Sequence, residues 1–271
     1  MRSLLKTDLR RIFKDKLFLV VCILGTVLAA FTPVFYKCLS LFIGMEDELL
    51  GMFIDVKSMF FASFAPGSNF GFILPILLAL VLCKDFSYGT VRNKIICGKS
   101  RVKIFLSMFF SGTIVMCGTI LLHALLTLGI ASCLFPSQAA ELFTANTIGY
   151  MAISLLFWVL IYVFLSAFVC LLCVSMKNAE LSVIIYVAAN LFFNILGGIV
   201  SVAPAVSVFL PNFPTKLFEI LQKINLFTAT YIGQGTSYSL TDVLCLLIAS
   251  FVGIGLSIFL GITVFRKKDI K

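Results

Sequence analysis

Three short stretches carry residue types that do chemistry in other proteins. Gly98-Lys99-Ser100, within IICGKSR at 95–101, ends like a phosphate-binding loop, in which backbone N–H groups wrap phosphates between a strand and a helix. That loop needs a glycine five residues before Gly98, and the position holds Asn93, so no nucleotide site is expected. Cys170 and Cys173 form a C-x-x-C in the middle of an apolar run, with no second pair and no histidine nearby to complete a metal or redox site. The single histidine, His123, also sits in an apolar run, where an ionisable group is a candidate relay or ligand. No acid lies in these runs to pair with it, which favours a neutral packing or hydrogen-bonding role. Ser-His-Asp sets, H-E-x-x-H and G-x-S-x-G are all absent. Catalysis therefore has few candidates.

The elements that must position these residues are membrane spans. Hydrophobic residues make up 61% of the chain and charged ones 12%, against roughly 25% charged in a soluble domain. Mean hydropathy is +1.13. Stretches 17–36, 58–83, 104–140, 142–176, 181–215 and 243–265 contain no Asp, Glu, Lys or Arg. Each is long enough for an α-helix to cross about 30 Å of hydrocarbon at 1.5 Å per residue, and none alternates as a barrel strand would. The pattern predicts an all-α polytopic membrane protein with six transmembrane helices, at 17–36, 69–83, 104–134, 147–175, 181–202 and 243–265. Pro66, Gly67, Asn69, Gly71 and Pro75 crowd the start of the second, so its beginning is the least fixed.

Lys and Arg set the orientation through the positive-inside rule. With a cytoplasmic N-terminus, segments 1–16, 84–103, 176–180 and 266–271 hold 17 of them and the outer segments only four: Lys37, Lys57, Lys216 and Lys223. Both termini are thus expected in the cytoplasm. The net charge of +9 reads as a topology signal, and no nucleic acid is needed to explain it; a basic surface also attracts anionic lipid. The nine cysteines lie mostly within spans, with only Cys38 near the outer face, so no disulfide framework is implied.

Residues 1–16 place Leu5, Leu9, Ile12 and Phe13 on one helical side and Lys6, Arg10, Arg11, Lys14 and Asp15 on the other. This predicts an amphipathic helix in the membrane interface, with a solvated tail as the alternative. Segment 37–68, with Glu46, Asp47, Glu48 and Asp55, is too short for its own core and reads as a small helical cap. In 84–103, Val91, Ile95 and Ile96 form a short helical face ended by Gly98 and Ser100, so a tethered surface helix is expected. Segment 203–240 is more apolar than an exposed loop and is expected to re-enter the outer leaflet as short helices. Asn190 and Asn194, four apart on one face of the fifth span, suit interhelical hydrogen bonds, or else a substrate path or subunit interface.

Asp85-Phe86-Ser87-Tyr88-Gly89-Thr90-Val91-Arg92, followed by Gly98-Lys99-Ser100-Arg101, resembles a motif of the permease subunits of ABC-2 type transporters. There an acidic-x-x-x-Gly-Thr-x-Arg run and a small-residue–Arg step lead into the third span. The usual acid is Glu and a Pro often precedes Ser-Arg; here they are Asp85 and Lys99. The six spans, cytoplasmic termini and re-entrant segment resemble the same family. The resemblance implies that Asp85, Gly89, Thr90, Arg92 and Lys94 form a coupling helix, closed by Ser100 and Arg101, that docks on a separate ATPase. It further implies two ATPase subunits, a second permease identical or similar to this one, no cofactor in this chain, and ATP with Mg in the partner. Small Gram-positive permeases of this kind often export antimicrobial peptides or confer immunity to them.

The residues point the same way without the family. A pump lacking both a nucleotide site and intramembrane carboxylates must draw on a partner, and a tethered helix can transmit that partner's motion. Uncharged, Phe-rich spans suit a hydrophobic or amphipathic cargo, peptide or lipid. The alternatives are a non-transporting immunity protein that binds a peptide at the outer face, a membrane-embedded lipid enzyme, and an ion-coupled carrier.

Overall fold

The computed structural model describes residues 1–44, 55–67, 69–142, 145–209, 215–227, 232 and 238–268. Glu46, Asp47 and Glu48 and the prolines at 211 and 214 lie outside them. The described residues form eleven helices and no strand. In chain order these are α1 (Arg2–Lys14), α2 (Lys16–Ile43), α3 (Val56–Phe64), α4 (Asn69–Ser87), α5 (Thr90–Ile96), α6 (Arg101–Leu134), α7 (Pro136–Leu142), α8 (Ala145–Met176), α9 (Ala179–Phe209), α10 (Thr215–Ile224) and α11 (Leu240–Lys267). Six of them, α2, α4, α6, α8, α9 and α11, are long and apolar enough to cross a membrane.

These helices run past the expected bounds, and α4 shows why. It continues through Lys84 and Asp85 to Ser87 because both charges are met from α1: Asp15 receives Lys84 at 2.8 Å, and Arg11 pairs with Asp85. A charge that is paired need not end a helix. Asp15 also caps α2, its Oδ1 accepting from the Leu17 amide at 2.9 Å. One carboxylate thus fixes the corner between α1 and α2 and ties it to the foot of α4.

α8 is the centre of the bundle. Trp158, Ile161, Tyr162, Leu165, Cys170 and Cys173 on it are buried, while α11 packs most extensively on α8, and α2 on α6. Outward faces of α2, α9 and α11 carry Leu19, Ile23, Phe31, Ile184, Phe192, Phe251 and Phe259 exposed, as lipid-facing surface requires. The expected cap between the first two spans contains α3, which a capping box of Asp55 and Ser58 starts. Instead of lying on the surface, α3 buries Val56, Phe60, Phe61 and Phe64 in the bundle, and Phe64 stacks on Trp158 at 6.0 Å.

Segment 203–240 is partly helix, extending α9 to Phe209 and forming α10. Phe227 beyond it stacks flat on Phe193 at 4.8 Å, and Asn225 donates to the Phe193 carbonyl at 2.8 Å. Apolar residues in this connection therefore turn back into the protein. In α1 the buried line is Leu4, Asp8 and Ile12, whereas Phe13 is exposed. This corrects the expected helical wheel: an acid lies in the middle of the inward face, and Arg11 and Asp15 lean inward with it.

Candidate partner-coupling site

One end of the bundle gathers α1, the α4–α6 connection, the α8–α9 turn and the foot of α11. Two glycines shape the connection. Gly89 (φ +67°) separates α4 from α5 and Gly98 (φ +75°) lies just after α5. Both are in the left-handed region, which glycine enters without steric cost. Ser100 then caps α6, accepting from the Lys103 amide at 3.4 Å. Gly98-Lys99-Ser100 thus joins two helices, and Lys99 and Ser100 are exposed; the strand that a phosphate-binding loop requires is not among the described residues.

Inside this end the charges form a connected set. Asp8, 1% exposed, accepts from Lys94 Nζ and from Ser107 Oγ, each at 2.6 Å. Arg11 pairs with buried Asp85, whose Oδ2 has no hydrogen bond and stands 3.8 Å from Lys94 Nζ. Lys94 therefore stands between two carboxylates, bonded to one and in reach of the other. Burial lowers the Lys94 pKa, and the Asp8 hydrogen bond and charge oppose that shift. For Arg11, burial likewise lowers the pKa while the charges of Asp8 and Asp15 raise it. At Asp15, burial pushes upward, but the Lys84 hydrogen bond, the Leu17 amide and the nearby cations leave the pKa below its ordinary 3.8. These pairs link three helices, with α1 gripping α5 through Asp8 and α4 through Arg11 and Asp15.

Two further cations satisfy helix ends. Arg101 Nη1 donates to the carbonyls of Phe265, Arg266 and Lys268 at 3.0, 2.9 and 2.7 Å. Lys268 Nζ donates to the carbonyls of Val174 (3.4 Å) and Ser175. The last carbonyls of a helix lack intrahelical partners and carry partial negative charge, so a cation there is favourable. Arg101 thus holds α6 to α11, and Lys268 holds α11 to α8.

The residues expected to couple to a partner divide by direction. Asp85, Lys94 and Arg101 point inward and hold the end together; Gly89 and Ser100 shape the backbone; Thr90 is half-buried at the start of α5. Only Arg92 presents its side chain outward, beside exposed Asn93. Tyr88, which has no separate role in the sequence reading, is 76% exposed, and Ile96, expected on one face with Val91 and Ile95, is instead 73% exposed while Val91 is buried. Arg92 and Ile96 are four apart on α5, a signal that was available, while Tyr88 lies in the turn before Gly89. Asp8 and Ser107, also passed over, gave a weaker one, an acid four residues from both Leu4 and Ile12. An aromatic and an aliphatic side chain around a cation, raised on a short helix whose base is locked, make a surface suited to a protein partner.

The remaining candidates lie elsewhere. Asn190 is buried and donates to the Pro66 carbonyl at 3.2 Å, and Asn194 donates to Asn190 Oδ1 at 2.7 Å. Asn190 ties α9 to the backbone just before α4, and Asn194 supports Asn190 from within α9. His123 is buried with Nδ1 2.8 Å from the Gly25 carbonyl, so Nδ1 carries the proton of the neutral ring. It stacks near Phe70, and a cavity of about 160 Å³ opens beside it between α2, α4 and α6. Among the described residues no group of three His, Cys, Asp or Glu could hold a metal. Cys173 donates to the Ala79 carbonyl at 3.7 Å, and all nine cysteines are free. Compared with known proteins, the chain matches no family model and no curated protein.

Proposed function

We propose that this chain is the membrane-spanning permease subunit of an ATP-binding cassette exporter, with α5 as the element that receives the motion of a separate ATPase. The observation that carries the reading is the contrast within α5. Its inner side is fixed by Lys94 to Asp8 and by the burial of Val91, while Arg92 and Ile96 stand free on its outer side and Tyr88 is exposed in the turn before it. A push on that outer face reaches α1, α4 and α6 through ion pairs and hydrogen bonds, without a soft linker to absorb it.

In this reading the end bearing α1 and α5 faces the cytoplasm of a bacterium, Gram-positive by the resemblance. The chain pairs with a second permease, identical or similar, and with two ATPase subunits that hold ATP and Mg. The cargo is hydrophobic or amphipathic, a peptide or a lipid, consistent with spans free of carboxylates. The test is reconstitution in proteoliposomes. The chain alone should hydrolyse no ATP, and the complex with its ATPase should lose transport-linked hydrolysis on Arg92→Ala combined with Ile96→Asp. Hydrolysis by the chain alone would contradict the proposal.

A further inference from the structure

Four of the cations on α1 take no part in the network just described. Arg2, Lys6, Arg10 and Lys14 recur every fourth residue, so they form one line about 18 Å long on the helix surface. All four are exposed, and none has a hydrogen bond or ion pair among the described residues. The two acids of α1 and its corner, Asp8 and Asp15, are turned inward and occupied by Lys94 and Lys84. The outer line is therefore cationic without interruption, although acids are close by in sequence.

The position of this line defines what it meets. α1 joins span α2 through the single residue Asp15. Exposed Phe13 packs edge-on against Phe18 of the span, with ring centroids 5.0 Å apart. Leu5 and Leu9 lie between the buried line and the cationic line. α1 thus lies where the first span enters the bilayer, at headgroup level, with its apolar flank toward the acyl chains. We infer that the line Arg2, Lys6, Arg10 and Lys14 is a binding surface for the anionic phospholipids of that leaflet, and that occupancy is transmitted to α5 through Asp8 and Lys94.

Transmission follows from the bonds on the opposite side of the same helix. Lipid drawn to the outer line pulls on a helix whose inner face carries the Asp8 that holds Lys94. Lys94 has a second carboxylate oxygen, Asp85 Oδ2, in reach at 3.8 Å. A rotation of α1 therefore shifts Lys94 between two acids and moves α5 with it. This inference does not depend on the transport reading, because it concerns the lipid and the position of α5 only.

The test uses the full chain in vesicles of phosphatidylcholine containing a minority of phosphatidylglycerol. Spin-labelled forms of the two lipids report which is held at the protein surface, and hydrogen–deuterium exchange reports on residues 88–100. Each cation near an anionic surface contributes about a fivefold gain in association. The wild type should prefer the anionic probe, and K6Q/R10Q/K14Q should lower that preference on the order of a hundredfold. The control R92Q/K99Q/K103Q, which removes the same charge at the same end, should keep it. Phosphatidylglycerol should slow exchange in 88–100 of the wild type but not of the triple α1 variant. Equal retention by the α1 variant and the wild type, or equal loss in the control, would overturn the site. Exchange in 88–100 that ignores phosphatidylglycerol would overturn the transmission.

Discussion

The two ends of the bundle are held by different forces. At the end with α1 and α5, four ion pairs and two sets of cation-to-carbonyl bonds join six helices. At the other end, Asn190 and Tyr162 hold the carbonyls of Pro66 and Phe64, at 3.2 and 2.8 Å. Tyr150 stacks on Tyr238 there at 4.5 Å, and Lys37 and Lys57 lie over the rings of Phe135 and Tyr150. Only Lys223–Asp242, at 2.6 Å, is an ion pair there among the described residues. Charge pairs are directional and can exchange partners, whereas stacked rings and neutral bonds favour one packing. Under the proposed function, movement belongs to the first end and anchoring to the second.

The largest effect expected from breaking this comparison is at Asp8. Asp8→Ala leaves the buried Lys94 ammonium and the Ser107 hydroxyl without their acceptor, a loss of about 3 kcal/mol. It should lower the melting temperature in detergent by several degrees. Replacing both partners, Asp8→Leu with Lys94→Met, should recover most of that stability, since an apolar pair of similar volume is often neutral. The double variant should nevertheless leave α5 exchanging faster, because shape is restored and the bond is not.

A smaller effect is expected at the anchored end. Asn190→Leu removes the bond to the Pro66 carbonyl and one of the two acceptors of Asn194, about 1–2 kcal/mol, with no change in the exchange of α5. A coupled loss in α5 would mean the ends are not separate.

Smaller still is a pH effect at the Asp15–Lys84 pair. The folded pKa of Asp15 lies below 3.8, so the pair's contribution is complete above the ordinary carboxylate value and fades as pH falls through the lower one. The melting difference between wild type and Asp15→Asn should stay constant from neutral pH to about 4 and shrink only below that. The least effect on stability is expected on the outer face of α5. Tyr88→Ala, Arg92→Ala and Ile96→Ala should each lie within about 0.5 kcal/mol of wild type.

The spans could be read from the sequence because absence of charge over 20 residues is a one-dimensional signal. Orientation of side chains around α1 was legible only in part: the sequence reading assigns Asp8 to neither side, and it is Lys94 and Ser107, 86 and 99 residues away, that turn it in. The same limit applies to the coupling segment. Gly98 and Ser100 were recognisable as breaks because their roles are local to the backbone. The inward turn of Asp85, Lys94 and Arg101 depends on α1 and α11, which no local pattern brings near. Helix ends were misplaced for this reason also, since Lys84 and Asp85 mark a boundary only until their partners are known.

Under the proposed function the outer face of α5 meets an ATPase. A photoreactive phenylalanine at position 96, and separately at position 92, tests it in the native membrane, with the crosslinked protein identified by mass spectrometry. One dominant product is expected from both positions, a protein with phosphate-binding-loop motifs, and no such product from position 37 at the opposite end. Crosslinks to lipid alone, or to a protein without a nucleotide site, would contradict it.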